Sequence, residues 1–416
     1  MADHAPVSLL DSDEYAARVR ALLPRPEPAE VPLRDADGLV LGADLRSLVD
    51  LPTFDNSAMD GFAVRHADIA AATDDSPVIL PVATDIPAGR TDAVVLEPGT
   101  AARIMTGSPV PDGADTIVQV EWTDAEPSAP LPQQVAVLRA PKPGQHVRAR
   151  AEEASEGDVV LPAGTVLTPP ALGLAAATGH ASVPAYRRPR VLVLSTGSEL
   201  VPPGEPLAPG QIYESNSVML VAALQRIGAE ARALQLVEDD VPSFVARLRG
   251  EIDGADLILT SGGVSAGAYE VVKDALLADG TVEFVKVGMQ PGMPQGCGRF
   301  DGVPIVTLPG NPVSVYVSFE AFVRPALLSF MGHDETERPG FVGTWQGPRQ
   351  SSPTGKRQFL RGECDIPAGT VTPVGTPPSH LLASLARSNC LAVVPPEVTE
   401  LAPGDELEIW LLDSAL

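Results

Sequence analysis

The chain has 416 residues, 44% of them apolar and 20% charged; at roughly 150 residues per domain this calls for two to four domains and excludes a single small module. Its 29 basic and 54 acidic residues leave a net charge of −25, so the whole-molecule field repels phosphate backbones and anionic lipid, and no nucleic acid partner is expected. Any anionic ligand must then be held by local devices, such as backbone N–H groups, helix N-termini or a few placed Arg and Lys.

Tyr15, Val19, Leu22 and Leu23 recur at helical spacing within residues 11 to 23, ahead of Pro24, and predict a short amphipathic helix. A Pro-rich spacer covers 24 to 32. From 24 to 162 short β-rich runs (Leu39 to Leu41, Val78 to Val82, Thr116 to Trp122, Val135 to Leu138) are split by Pro, Gly and Asp, which predicts one or two small β-containing domains. Thr168-Pro169-Pro170 caps a helix that Gly179 closes.

After Arg187-Arg188-Pro189-Arg190 the pattern becomes regular. Strand 191 to 194, helix 216 to 227, strand 231 to 237, helix 242 to 250, strand 256 to 260, helix 269 to 279, strands 282 to 287 and 304 to 308, and helix 313 to 330 follow in order. Such alternation predicts an α/β region whose central sheet is mainly parallel, with helices on both faces. Residues 338 to 416 return to β-type runs, among them Leu391 to Val394 and Glu408 to Leu412, and read as a small β-barrel or sandwich.

Apolar runs such as Val218 to Leu224 stop short of the ~18 residues a membrane span needs, and the acidic start differs from a signal peptide. The expectation is a cytoplasmic protein with no membrane partner. Cys297, Cys364 and Cys390 are odd in number and widely spaced, which supports neither a disulfide framework nor a zinc site. The six histidines form no ligand-spaced pair.

Three strands of the α/β region run into small-residue loops: Ser195-Thr196-Gly197-Ser198, the stretch Ser261 to Gly267, and Pro309-Gly310-Asn311-Pro312-Val313-Ser314. Loops at the carboxyl ends of parallel strands form the ligand crevice. Glycines there admit a phosphate close to backbone N–H groups, and Asn311 as N-cap with Pro312 at the first helical position would set a helix N-terminus beside it. Any one of these loops alone reads as a tight turn, whereas three at one end of a sheet favour a phosphate or pterin-like anion site. No GxGxxG or GxxxxGK[ST] string occurs at these turns. Upstream, Asp55 to Gly61 and Ile104-Met105-Thr106-Gly107 put carboxylates and a hydroxyl into Gly-terminated turns, which in isolation read as Asx-type turn chemistry.

DNSAMDGFAV, RIMTGSPVPDGAD, STGSEL, SGGVS, PGNPVS and SHLLASLARSNCL, in this order and spacing, resemble molybdopterin molybdenumtransferase, the bacterial MoeA family to which the C-terminal domain of gephyrin also belongs. The likeness covers nearly the whole chain. It implies a homodimer of four-domain subunits: 1–51 with 144–186 as a linker and dimerisation domain, 52–143 as a small β-rich domain, 187–332 as an α/β molybdopterin-binding domain, and 338–416 as a C-terminal β-barrel. It further implies an active site between the α/β domain of one subunit and the small β domain of the other. The substrates would be adenylyl-molybdopterin and molybdate, converted with Mg²⁺ to molybdenum cofactor and AMP.

Matched by motif, the resemblance implies catalytic roles for Asp60, Thr106, Glu121, Arg148, Glu153 and Glu270, with Asp60 and Glu270 on the metal. It implies molybdopterin or phosphate contacts from Ser195, Thr196, Gly197, Ser198, Ser261, Gly262, Gly263, Ser265, Gly310, Asn311, Pro312 and Ser314, and molybdate contacts from Gln290, Arg361 and Ser379. Without the resemblance Arg361 reads as a solvated surface arginine.

The chain departs from the family pattern at several of these places. Arg-Gly-Glu-Asp is here Arg150-Ala151-Glu152-Glu153, the usual Asp after SGGVS is Glu270, and STGDEL carries Ser198. Lys-Pro-Gly-Lys-Pro is Gln290-Pro291-Gly292-Met293-Pro294, without either lysine. A charge-assisted bond to an oxyanion is worth about 1.5–3 kcal/mol, so the loss weakens anion binding unless Arg299, Lys286 or another base substitutes. A second reading follows: a catalytically weakened molybdopterin-binding or scaffold paralogue.

Overall fold

The computed structural model describes residues 9–412 apart from 91, 127–128, 198, 237–240, 263–270 and 279–280. Ser198, Gly263, Ser265 and Glu270 therefore lie outside the described residues. The chain divides into two compact units, one of Met1–Ala29, Gly38–Gly42 and Ala185–Leu416, the other of Glu30–Asp37 and Ala43–Pro184.

In the smaller unit a five-stranded sheet runs in the order Thr116–Gln119, Gly61–Val64, Ala101–Ile104, Val78–Ile86, Gln134–Val137. Phe62, Val64, Leu80, Val118 and Val135 pack on one face, and Ala63, Ile86, Ile104 and Ile117 on the other. Strand Leu45–Arg46 pairs separately with Val159–Leu161. Helix Pro169–Ala177 starts at Thr168, whose hydroxyl accepts from the Ala171 amide, as its sequence predicts. Leu39 to Leu41, expected as a strand, makes only an isolated bridge from Leu41 to Ala185 and belongs to the larger unit.

The larger unit holds the α/β sheet. Its strands are β1 (Arg190–Thr196), β2 (Glu230–Leu236), β3 (Leu257–Ser261), β4 (Val282–Lys286), β5 (Pro294–Phe300) and β6 (Val303–Leu308), in the order β2-β1-β3-β6-β5-β4. Strands β2, β1, β3 and β6 are parallel, and β5 runs antiparallel to both β6 and β4. Alternation along β1 sends Val191 and Val193 to a core shared with helices Ser12–Leu22, Asn216–Arg226 and Pro312–Phe330. Leu192 and Leu194 face Phe244 and Leu248 of helix Val241–Arg249 and Ala275 and Leu276 of helix Val271–Ala278. Helices thus cover both faces.

Strand β5 is absent from the sequence reading because Pro-Gln-Gly-Cys-Gly-Arg-Phe has no β-branched alternation and two glycines. The glycines are there for close approach: a Cβ at Gly298 would collide with the Thr281 carbonyl, and one at Gly296 with Thr307. The first helix also differs from its expected place in a 1–51 domain. Asp11 caps it, accepting from the Asp13 amide at 2.8 Å, and the buried Tyr15 donates to the Gly296 carbonyl at 3.0 Å and meets Phe322 edge-on. Both partners belong to the α/β layer.

Strands β7 (Gly340–Trp345), β8 (Arg357–Asp365), β9 (Thr370–Pro373), β10 (Cys390–Val394) and β11 (Glu406–Leu411) pair in the order β8-β9-β7-β11-β10. Because β10 also pairs with β8, the sheet closes into a five-stranded barrel, filled by Trp345, Leu360, Val371 and Ile409. The fold class read from the sequence is the one observed.

Pro312–Phe330 is long and apolar enough to cross a membrane, contrary to the sequence survey of apolar runs, but 83% of its apolar window is buried inside the protein as a core helix. It loosens into a π turn at Phe319–Val323. There the buried Glu320 carboxylate accepts from two Arg338 nitrogens at 2.7 and 2.8 Å, with Arg324 at 3.9 Å. Removing one partner of a buried pair costs about 3–5 kcal/mol. Glu320→Gln should lower the stability of the chain by about that amount in denaturant unfolding, and an unchanged midpoint would deny the pair its structural part.

Candidate active site

In the smaller unit the segment Asp55–Gly61 is a hub. The Asp55 carbonyl accepts from the Val110 amide, Ser57 exchanges hydrogen bonds with Gly107 and Ser108, Ala58 donates to the His146 carbonyl, and the Asp60 carbonyl accepts from the Val120 amide. Asn56 and Ser57 also pair with Arg148 and Val147. Segments far apart in sequence are thereby fixed around one short turn.

At its end the Asp60 carboxylate accepts from both the amide and the hydroxyl of Thr106, each at 2.7 Å and through Oδ1. These two bonds hold the Asp60 carboxyl below its usual range, the amide contributing most, against a smaller upward push from burial. A cavity of about 320 Å³ opens beside it, lined by Asp60, Phe62, Arg103, Met105, Asp124 and Glu126 among others. Arg103 is engaged from behind by Asp85 at 2.6 and 2.9 Å.

Glu121 and Arg148 are exposed on elements tied to the hub. Glu153 stands apart from it, exposed, with its amide on the Leu51 carbonyl. Ala151, where the family pattern has glycine, sits at φ 58°, a left-handed conformation that a Cβ disfavours. Asp60 with Oδ2 available is a hard oxygen donor. Among the described residues no group of three His, Cys, Asp or Glu could hold a metal by itself. Mg²⁺ nevertheless binds through one or two carboxylates when substrate phosphates and water complete its shell, and Asp60 fits that manner of binding.

In the larger unit the residues that follow β1, β3 and β6, the second of these segments described only as far as Gly262, gather at the carboxyl ends of the parallel strands. Ser195 on β1 stands beside Ser261 on β3, and Ser261 beside Leu308 on β6. A Cβ placed on Gly310 would lie 3.7 Å from the Gly262 Cα, so the second and third loops approach closely. Gly197 and Gly262 have φ of 149° and 92°. Ser195 and Ser261 are 1% and 3% exposed, yet among the described residues their hydroxyls have no hydrogen-bond partner. Buried hydroxyls are nearly always paired, so these two call for a ligand that supplies acceptors. Thr196 is half-buried in the same turn.

A second cavity, about 570 Å³, is lined by Gln290, Met293, Gly310, Asn311, Ser314 and Ser379 among others. It unites the residues matched to molybdopterin in the Pro309–Ser314 loop with two of those matched to molybdate. Asn311 occupies the N-cap position ahead of Pro312, but makes no capping bond with its side chain. Its amide instead donates to Ser379 Oγ at 2.9 Å, while the Val313 amide donates to the Ser379 carbonyl at 3.1 Å.

Arg361 corrects the expectation of a solvated surface arginine. It is 5% exposed, not a solvated surface group, and it does not line this cavity. Its guanidinium donates to the carbonyls of Pro378 at 3.1 Å, Leu381 at 3.2 Å and Thr376, and burial pushes its pKa down. It holds the loop that carries Ser379. Asn216, which the sequence reading passed over, donates to the Gly310 carbonyl at 2.8 Å. Its signal was the Glu-Ser-Asn-Ser string at a helix start, where the Glu214 carboxylate accepts from the Ser217 amide at 2.8 Å.

Family models match along the chain: the MoeA N-terminal region (domains I and II) over 10–179, a probable molybdopterin binding domain over 192–329, and the MoeA C-terminal region (domain IV) over 349–412. Molybdopterin molybdenumtransferase 2 of Mycobacterium tuberculosis is 52% identical over 403 residues, 95% of this chain and 98% of that one. The chain belongs to the molybdopterin molybdenumtransferase (MoeA) family. The molybdopterin molybdenumtransferase of Haemophilus influenzae is 33% identical over 96% of this chain and 98% of its own. The crystal structure of the molybdopterin biosynthesis MoeA protein from Pyrococcus horikoshii aligns with a TM-score of 0.79 at 28% identity, covering 98% of this chain and all of that one.

For Asp60, the lowered pKa means that folding favours the ionised form. Its contribution to stability is present above the unfolded value near 3.9 and is lost as pH falls through the lower folded value. Thr106→Val keeps the amide donor and removes the hydroxyl, so the Asp60 carboxyl should titrate at higher pH than in wild type when followed by NMR. An unshifted titration would deny the hydroxyl any part.

Proposed function

We propose that the chain is a molybdenum insertase, which takes adenylyl-molybdopterin and molybdate, cleaves the pyrophosphate link with Mg²⁺ and yields molybdenum cofactor and AMP. Family membership supports the transferase class. The observation that carries the reading is the 570 Å³ cavity, next in sequence and fold to two buried serine hydroxyls that have no partner among the described residues. Ser195 and Ser261 donate to the phosphate or pterin, the backbone at Gly262 and Gly310 leaves room for it, and Gln290 and Ser379 hold the oxyanion. Arg361 acts through the loop it binds and is a positioning residue here. In the smaller unit Thr106 keeps Asp60 ionised and aimed, and Glu121, Arg148 and Glu153 are further contributors.

Asp60 and Glu270 are the proposed Mg²⁺ ligands; when bound, the ion supplies Lewis-acid polarisation of phosphate oxygens. The family pattern supports a cytoplasmic homodimer, which light scattering would register as twice the chain mass. To test the chemistry, adenylyl-molybdopterin, Mg²⁺ and molybdate are supplied, and AMP release is followed together with reconstitution of an apo-molybdoenzyme. Both should occur, and Asp60→Ala should lose most AMP release while keeping its fold. Wild-type turnover in Asp60→Ala at saturating Mg²⁺ would overturn that assignment.

The second reading, a weakened binding paralogue, rests on the absence of lysine and arginine from the cavity lining among the described residues; AMP release without reconstitution would favour it. Met293 lines the cavity and is only half-buried, so Met293→Lys should fold, tighten molybdate binding, and lose that gain as salt is added. Unchanged affinity with a lowered melting temperature would mean that Met293 serves packing alone.

A further inference from the structure

The lining of the 570 Å³ cavity is poorly matched to a dianion. Five of its residues are prolines, which have no N–H to donate. No lysine, arginine or carboxylate lines it, and His380 is its one ionisable side chain among the described residues. Neither base considered as a substitute from the sequence is available: Arg299 donates to the carbonyls of Gly302 and Leu22, and Lys286 is outside the lining.

Around His380 the loop is arranged as a donor surface. Arg361 holds the Pro378 carbonyl, and across a trans peptide the Ser379 N–H points the opposite way. That N–H has no acceptor among the described residues. Ser379 Oγ already accepts from Asn311, which leaves its own proton to donate. The His380 ring is exposed and has no hydrogen-bond partner among the described residues. Its charged neighbours are few. Residues 370–389 contain only His380 and Arg387 as ionisable groups, Arg387 donates to the Ala383 carbonyl, Arg361 lies behind the loop, and the walls at 290–294 and 309–314 carry none.

We propose that His380, as imidazolium, is the cationic partner of the oxyanion bound in this cavity, beside the neutral donors Ser379 N–H and Oγ–H. The inference rests on reading the cavity as the molybdate site, and it names what stands in for the two absent lysines. It makes anion binding proton-linked, because imidazole exchanges its proton between pH 5 and 8 while lysine does not.

The test is calorimetric titration of molybdate at pH 6.2 and 8.2, at fixed ionic strength, into wild type, His380→Gln and His380→Arg, with thermal melts of all three. Wild-type affinity should fall about tenfold or more between the two pH values, the scale of one charge-assisted bond. His380→Gln should bind weakly at both, and His380→Arg tightly at both. Wild-type affinity that ignores pH, or His380→Gln matching wild type at pH 6.2, overturns the role of His380 alone. No molybdate binding by wild type at either pH overturns the reading of the cavity, and this inference with it.

Discussion

The end of the larger unit where the strand loops gather depends on a buried guanidinium with no carboxylate among the described residues to answer it. Arg361 satisfies its N–H groups with three carbonyls of one loop, and burial is the cause of its shifted pKa. Neutral carbonyls solvate such a cation only when several converge, so the loop has little freedom to leave. Asn311 and Val313 fasten Ser379 from the opposite side. The barrel loop is therefore fixed between β8 and the start of the 312–330 helix, and the cavity it lines keeps its shape.

Elsewhere in the same unit the balance is struck differently. Arg338 and Glu320 neutralise each other in the π turn, a fully paired arrangement that joins helix and linker. The contrast separates two uses of buried arginine. A charge answered by a carboxylate fastens structure, whereas a charge answered only by carbonyls leaves an electropositive region behind the loop, in a molecule whose overall charge is −25.

Much of this was legible in the sequence where periodicity decides the outcome. The βα alternation, the helix cap at Thr168, and the gathering of Ser195, Ser261 and the Pro309–Ser314 loop at one end of the sheet follow from local pattern and parallel-sheet geometry. What escaped depends on contacts between distant segments. Strand β5 is built on glycines that make room for Thr281 and Thr307, a requirement invisible in a seven-residue string. Arg361 has the composition of a surface residue, and only the return of residues 376–381 over it makes it buried. The turn 55–61 looks like ordinary Asx chemistry, and its work as a hub requires partners some 50 to 90 residues onward. Ala151 shows the converse, a left-handed backbone at a residue that carries a Cβ.

The place of the first helix has a consequence for how the chain is made. Tyr15 and its acceptor, Gly296, are 281 positions apart, and all of the smaller unit is synthesised between them. At about 5–20 residues per second, the helix leaves the ribosome roughly 15 to 55 s before its docking surface exists. Throughout that interval Tyr15 and Val19 face solvent or a chaperone, while the smaller unit already has everything it needs to fold. The order of burial thus runs opposite to the order of synthesis: this helix is translated ahead of the whole smaller unit, yet is buried only after that unit can fold.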